Sequence, residues 1–237
     1  MKKILIYMAM QAEAEPLLQQ LQLHQKQLLP ETLPMKTYSG QYGSAELCLI
    51  ISGQSALYQV DNIGTEPAAV GLQAGLQVFD ADVVINAGTA GGFVAKGAAI
   101  GDVYLGKSPV RYHDHRIQIP GFDAYGIGSY ACLNCDQMAQ VLGLKQGYIS
   151  TGNALDHTPT DDVMMAANSA DCKEMEAAAL AWICHVYAKP FIPIKAITDL
   201  VDGTEATADE FLHNLNTASE ALQKAVKQVI TYLCDQA

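Results

Sequence analysis

Four stretches of this 237-residue chain place acids or hydroxyls directly beside apolar runs, where a folded protein can desolvate them. In Met8-Ala9-Met10-Gln11-Ala12-Glu13 a strand-like run stops and a carboxylate stands at a helix start. Such an acid can act as a base, or it can simply complement the helix dipole. In Asn86-Ala87-Gly88-Thr89-Ala90-Gly91-Gly92 a buried run enters a glycine-rich turn with one hydroxyl. Glycine lets backbone N–H groups approach a ligand closely, although a plain tight turn fits the same residues. The segment has neither the Gly-Lys-Ser/Thr ending of a P-loop nor the GxGxxG spacing of a dinucleotide site. The run 192–203 ends in Thr198-Asp199. A carboxyl at such a mouth is partly desolvated, which raises its pKa and lets it carry a proton as a general acid does. Capping of the next turn is the ordinary alternative. Finally, Glu174-Met175-Glu176 precedes Ala177-Ala178-Ala179, small residues that allow close packing and would hold the acids near a sheet; otherwise they mark a solvated helix start.

These residues act together only if the surrounding elements converge. Strand-like runs recur at 3–10, 45–51, 82–87, 102–105, 147–150 and 191–197. Helical spacing appears between them: Leu17, Leu18 and Leu21 in 13–22; Val70, Leu72, Leu76 and Phe79 in 67–79; Met175, Ala179, Trp182, Ile183 and Val186 in 173–188. Pro16 reads as a first-turn proline. The last helix carries Phe211, Leu215, Ala218, Leu222, Val226, Val229 and Leu233, after Thr207-Ala208-Asp209-Glu210, which has the form of a capping box. Strands alternating with helices predict an α/β fold, one domain over 1–237 with a mixed central β-sheet flanked by helices. The length suits a single core. In such sheets, sites form beyond the carboxyl ends of the strands, where Glu13, Thr89 and Asp199 fall.

Composition narrows the partners. The net charge is -11, and Arg111 and Arg116 are the only arginines. Nucleic-acid binding needs a basic surface, so a small-molecule substrate is expected instead. The start reads as a first strand rather than a signal peptide, and no run reaches the ~18–20 apolar residues of a membrane span. A cytoplasmic protein without a membrane partner is the expectation. Six cysteines include one CxxC, Cys132 to Cys135, without a second ligand pair. Free thiols in a reducing compartment are expected, and no metal site.

The order and wording of these segments resemble the nucleoside phosphorylase/nucleosidase superfamily, specifically the plant-type branch of its 5′-methylthioadenosine/S-adenosylhomocysteine nucleosidases. The matching stretches are 9–14, 86–92, Gly101-Asp102-Val103, His113-Asp114-His115-Arg116, Ser150-Thr151-Gly152-Asn153, Glu174-Met175-Glu176 and 195–203. They run from the first strand to the final helix. The resemblance implies a nucleoside phosphorylase-like fold and hydrolysis of an N-glycosidic bond, releasing adenine, without metal or cofactor. It gives Asp199 the role of acid toward adenine N7, oriented by Thr198, and Glu13 that of base toward water. Glu176 and Met175 would hold the ribose. Thr89, Ala90 and Gly91 would line ribose and base, and the backbone around Leu155 would meet the adenine edge. It further implies a homodimer, with Phe122, from the segment 116–122, covering the partner's 5′ end; Phe122 in its own subunit's core is the alternative. A part in methionine salvage follows.

The residue types suit that chemistry. Glycosidic cleavage builds positive charge on the sugar, and carboxylates beside it stabilise the transition state more than the neutral substrate. A carboxylate at Glu13 would repel phosphate in a dry site, so water is the expected nucleophile. Two positions depart from many bacterial relatives: Lys195 stands where they carry Arg, so the water side of the site is expected to differ, and Asn153 stands where many have Asp. Another purine nucleoside hydrolase, a phosphorylase, or a non-catalytic storage relative are the alternatives; the last would keep the fold without the acid/base set.

Overall fold

The computed structural model describes residues 1–236. Nine strands form one mixed sheet: β1 (Lys2–Met8), β2 (His24–Gln25), β3 (Lys36–Tyr42), β4 (Ala45–Ile51), β5 (Val83–Gly92), β6 (Val103–Tyr112), β7 (Lys145–Thr151), β8 (Cys172–Glu174) and β9 (Phe191–Leu200). The order is β2-β3-β4-β1-β5-β8-β7-β6-β9, and β9 pairs back onto β5. The last five strands therefore close on themselves, and β1 to β4 extend from the closed part as an open wing. Seven α-helices cover it: α1 (Gln11–Gln20), α2 (Thr65–Val78), α3 (Asp123–Ile127), α4 (Asp136–Leu142), α5 (Pro159–Ala167), α6 (Ala177–Val186) and α7 (Thr207–Asp235). The expected α/β class and mixed, helix-flanked sheet are what the structure has.

The central strands are apolar on both faces because both are covered. Ile4, Ile6, Leu47, Leu49 and Ile85 pack toward Leu17 of α1 and Leu222, Val226 and Val229 of α7. Leu5, Cys48, Ile50 and Val84 pack toward Leu72 of α2 and the alanines of α6. Continuous apolar strands are the mark of a sheet buried on two sides.

Strands β1, β5 and β9 run parallel, so their carboxyl ends share one edge. Five local expectations are corrected there and nearby. Residues 86–92 are not a turn: β5 stays extended to Gly92, paired with β9 on one side and β8 on the other. The predicted helix 173–188 begins only at Ala177, because Cys172–Glu174 is strand β8. Its Trp182 and Val186, expected on the packed face, are exposed, as is Val70 of α2. Helix α7 has Ala206 at its N-cap and no capping box, because Glu210 instead accepts the Leu200 N–H at 2.8 Å. Pro16 lies beyond the first turn, since α1 opens at Gln11. A capping box does open α5, from Thr158 and Asp161.

Candidate active site

A cavity of about 500 Å³ opens at the shared edge of β1, β5 and β9. Of the residues singled out in the sequence, Glu13, Thr89, Ala90, Gly91, Leu155, Met175, Glu176, Thr198 and Asp199 line it. They come from α1, β5, β9, the β8–α6 junction and the loop after β7, so the sheet closure brings together residues up to 186 positions apart in sequence, 199 less 13.

Glu13 enters from the first turn of α1. Its Oε1 accepts both the Thr89 N–H at 2.9 Å and the Thr89 hydroxyl at 2.6 Å. Burial pushes its carboxyl above the usual range, against those two bonds and the Lys195 charge. Gly88 lies against this pair: a Cβ there would make ordinary contact, 3.4 Å from Lys195 Nζ and 3.7 Å from Glu13 Oε2.

Asp199 is set by a bulge. The β5–β9 register slips after Ala90, so that Gly91 pairs with Asp199 while Ala90 pairs with Ile197. A bulge re-aims side chains locally, and here Thr198 and Asp199 both reach the cavity. The Thr198 hydroxyl donates to Asp199 Oδ1 at 2.8 Å. Oδ2 lies over Gly91, where a Cβ would come within 2.6 Å. Burial raises the Asp199 carboxyl above its ordinary value, Thr198 and Lys173 opposing and Glu210 adding to the rise. Such a carboxyl can carry a proton to a leaving group.

Glu174 and Glu176 flank Met175 at the start of α6. Glu174 accepts the N–H groups of Glu176 and Ala177, at 3.0 and 2.8 Å, closing the helix N-terminus, and also bonds the Thr151 hydroxyl. Its Oε2 pairs with Lys195 Nζ at 2.8 Å, and both side chains are 1% exposed. Burial alone would raise the Glu174 carboxyl, but Lys195 and these hydrogen bonds hold it low. Glu176 accepts the Gly64 N–H at 2.9 Å. Burial, with Glu174 nearby and only partial relief from Lys195, pushes its carboxyl up to about 7. Burial works against the Lys195 charge, yet Glu174 and Glu176 hold its pKa above the ordinary value.

One residue expected at the substrate is not among those that line this cavity. Lys195 is fully buried behind the cavity wall, as counter-ion to Glu174. Phe122 is 51% exposed beside Tyr125 and belongs neither to this cavity nor to its own chain's core. Asn153, the departure from Asp, uses both ends of its amide: Oδ1 accepts the Thr65 N–H at 2.9 Å and Nδ2 donates to Thr65 Oγ1 at 2.7 Å. It thereby ties the loop after β7 to the start of α2, next to the Gly64 N–H that holds Glu176. The sequence reading missed Lys173 and gave Glu174 no role in the site; both line the cavity. Alternation within β8 would have flagged Lys173 and the acids on opposite faces, but three residues are too few for the pattern to show.

All six cysteines are free thiols, and among the described residues no group of three or more His, Cys, Asp or Glu side chains is gathered as a metal site. Among the described residues no helix is long and apolar enough to cross a membrane.

The arrangement offers a carboxyl of raised pKa, Asp199, and two further buried carboxyls, Glu13 and Glu176, around one cavity, the equipment for acid-assisted departure of a group and attack by water. Comparison with known proteins agrees. The Phosphorylase superfamily model matches residues 3–231. A 5′-methylthioadenosine nucleosidase of Arabidopsis thaliana is 40% identical over 97% of this chain and 86% of its own length. A 5′-methylthioadenosine/S-adenosylhomocysteine nucleosidase of the same plant is 37% identical over 97% and 91%. The solved apo structure of Arabidopsis thaliana 5′-methylthioadenosine nucleosidase superposes with a TM-score of 0.95 at 39% identity, over 98% of this chain and 95% of that one. The chain belongs to the phosphorylase superfamily, among its 5′-methylthioadenosine/S-adenosylhomocysteine nucleosidases.

Proposed function

We propose that this chain hydrolyses the N-glycosidic bond of 5′-methylthioadenosine, and of S-adenosylhomocysteine as a second substrate, to adenine and the thioribose. The observation that carries the reading is the division of three carboxyls around one cavity. Asp199 stands with Leu155 and Lys173 at the end assigned to the base; Glu13 and Glu176 stand with Thr89 and Met175 at the end assigned to the sugar. Asp199 gives its proton to adenine N7 as the C1′–N9 bond breaks, and the bond electrons leave with the base. The sugar becomes oxocarbenium-like, stabilised by the neighbouring carboxylates. A water oxygen bonds C1′ while Glu13 takes its proton. Two carboxyls whose surroundings differ divide acid from base work, and the elevated Glu13 pKa makes it a stronger base at neutral pH than an exposed glutamate.

The chain acts as a homodimer in this reading, with Phe122 reaching the partner's 5′ end. Its exposure, beside the equally exposed Tyr125 and Ile119, supports that arrangement. A cytoplasmic place in methionine salvage completes the proposal.

The test is adenine release by purified protein from methylthioadenosine, S-adenosylhomocysteine and adenosine, with and without phosphate. Release independent of phosphate, with methylthioribose as co-product, is expected. Dependence on phosphate would make the chain a phosphorylase, and adenine binding without release would make it a non-catalytic relative.

A further inference from the structure

Lys173 is a buried ammonium whose hydrogen-bond partners are backbone carbonyls. Its Nζ donates to Ala154 O at 2.7 Å and Leu155 O at 2.8 Å. Strand β8 dictates where the side chain emerges. Lys173 pairs with Ser150 of β7 on one side and with Gly91 of β5 on the other, and Gly91 pairs in turn with Asp199 of β9. Residues paired across a sheet share a face, so Lys173 and Asp199 flank Gly91 in one row, two strand spacings or about 10 Å apart at Cα. Gly91 puts no side chain between them. All three line the cavity.

The loop that Lys173 holds has little else to fix it. Side chains from Asn153 to Asp156 are exposed, and the loop lacks regular structure. Asn153 anchors its start, through its amide to Thr65 and its N–H to Asp114 at 2.6 Å. Beyond Asn153, the carbonyls of Ala154 and Leu155 are turned inward to the ammonium. Hydrogen bonds to a charged donor are stronger than neutral ones, and a long unbranched side chain can span from strand to loop.

We infer that Lys173 is a positioning residue for the base: by clamping the Ala154 and Leu155 carbonyls it presets the loop edge that faces Asp199 before substrate arrives. The inference rests on the reading that the base sits between this loop and Asp199. A preset loop lowers the ordering cost of binding. Ordering the loop is needed in ground state and transition state alike, so losing the clamp raises KM more than it lowers kcat.

The experiment compares Lys173→Met, which keeps length without charge or donors, with Lys173→Arg, which keeps both. Adenine release from methylthioadenosine gives kcat and KM. Lys173→Met is expected to raise KM at least tenfold while kcat stays within threefold, and Lys173→Arg to restore KM to within threefold of wild type. An unchanged KM in Lys173→Met, a loss confined to kcat, or an arginine variant as impaired as the methionine one would overturn the clamp. If Lys173→Met does not fold, nuclear magnetic resonance of the wild-type Lys173 ammonium decides. The clamp requires slowly exchanging ammonium protons, coupled to the two carbonyls, in protein free of adenine; rapid exchange refutes it. A wild-type protein that releases no adenine would refute the nucleosidase reading instead, while the resonance measurement still tests the clamp.

Discussion

Lys195→Met removes the cation that faces Glu174 at 2.8 Å and lies near Glu13 and Glu176, all of them buried. Breaking a buried pair from one side costs about 3–5 kcal/mol, because the other charge is left uncompensated. Protonation sets a ceiling on that cost. Forcing a proton onto a carboxyl whose unfolded pKa is about 4.3 costs about 1.4 kcal/mol per pH unit above it, or about 3.7 kcal/mol at pH 7. The ceiling drops to about 1.6 kcal/mol at pH 5.5 by the same arithmetic. The sign is fixed by the directions of the shifts. In the wild type Lys195 holds the Glu174 pKa low, so Glu174 contributes stability above its unfolded pKa and loses it as pH falls through the folded one. In the variant burial raises that pKa, and stability is regained as pH falls. Lys195, its own pKa raised, contributes fully below the unfolded lysine value and so is constant over this range. Urea unfolding of both proteins at pH 7 and pH 5.5 is therefore expected to show a deficit that shrinks by about half or more. Under that ceiling, thermal melting at pH 7 should fall by roughly 6–15 °C, at about 2–4 °C per kcal/mol for a chain of this size. A deficit below about 1 kcal/mol at pH 7, or one independent of pH, would refute the assignment of Lys195 as the counter-ion of this cluster.

Asp199→Asn keeps size and the Thr198 hydrogen bond but cannot give up a proton; adenine release is expected to drop about 10²–10⁴-fold with little change in melting, and near-normal turnover would remove the acid role. In its proposed role Glu176 accepts ribose hydroxyls as a carboxylate, and burial lifts its pKa to about 7; the KM for methylthioadenosine should rise as pH drops from 8 to 6, and a flat KM would contradict the ribose assignment. Asn153→Asp retains an acceptor for the Thr65 N–H and hydroxyl at a helix N-terminus, where negative charge is favoured, so KM should stay within threefold. Asn153→Ala loses both bonds and should raise KM about tenfold, by the roughly 1.4 kcal/mol worth of hydrogen bonding removed; equal KM values for the alanine variant and the wild type would dismiss the tie.

What could be read from the sequence follows from how far each signal reaches. Glu13, Thr89 and Asp199 were legible because each ends an apolar run in a parallel sheet, and strand ends of that kind converge wherever the helices go. Lys173 was not legible, since β8 is three residues long and is a strand only by pairing with β5 and β7. The glycines of 86–92 suggested a turn by composition, yet two flanking strands hold them extended, and the missing side chain of Gly91 leaves room for Asp199. Thr207 and Glu210 have capping-box spacing, but Glu210 is claimed by Leu200, a tertiary bond that local spacing cannot reveal. Trp182 fits the helical stripe of α6 and is nonetheless exposed, because the five consecutive small or apolar residues before it, Ala177 to Ala181, already supply the buried contacts.

The charges explain how a frame shared with phosphorylases comes to favour water. At the sugar end Glu13, Glu174 and Glu176 are set against one cation, Lys195, and it is already paired. Neither arginine helps: Arg116 is paired with Asp161 at 2.7 Å and Arg111 bonds Ser129. Phosphate would bring more negative charge beside Glu13 and Glu176, whose carboxyls burial already raises, and beside the ionised Glu174, and the cost of packing like charges in a dry site is severe. Water adds none. The same imbalance acts on the reaction itself. In the proposed reaction the sugar end of the cavity is short of positive charge, and the oxocarbenium-like sugar supplies it as C1′–N9 opens. Carboxylates that are poorly compensated before the reaction become well compensated in the transition state, and an interaction gained only there lowers the barrier.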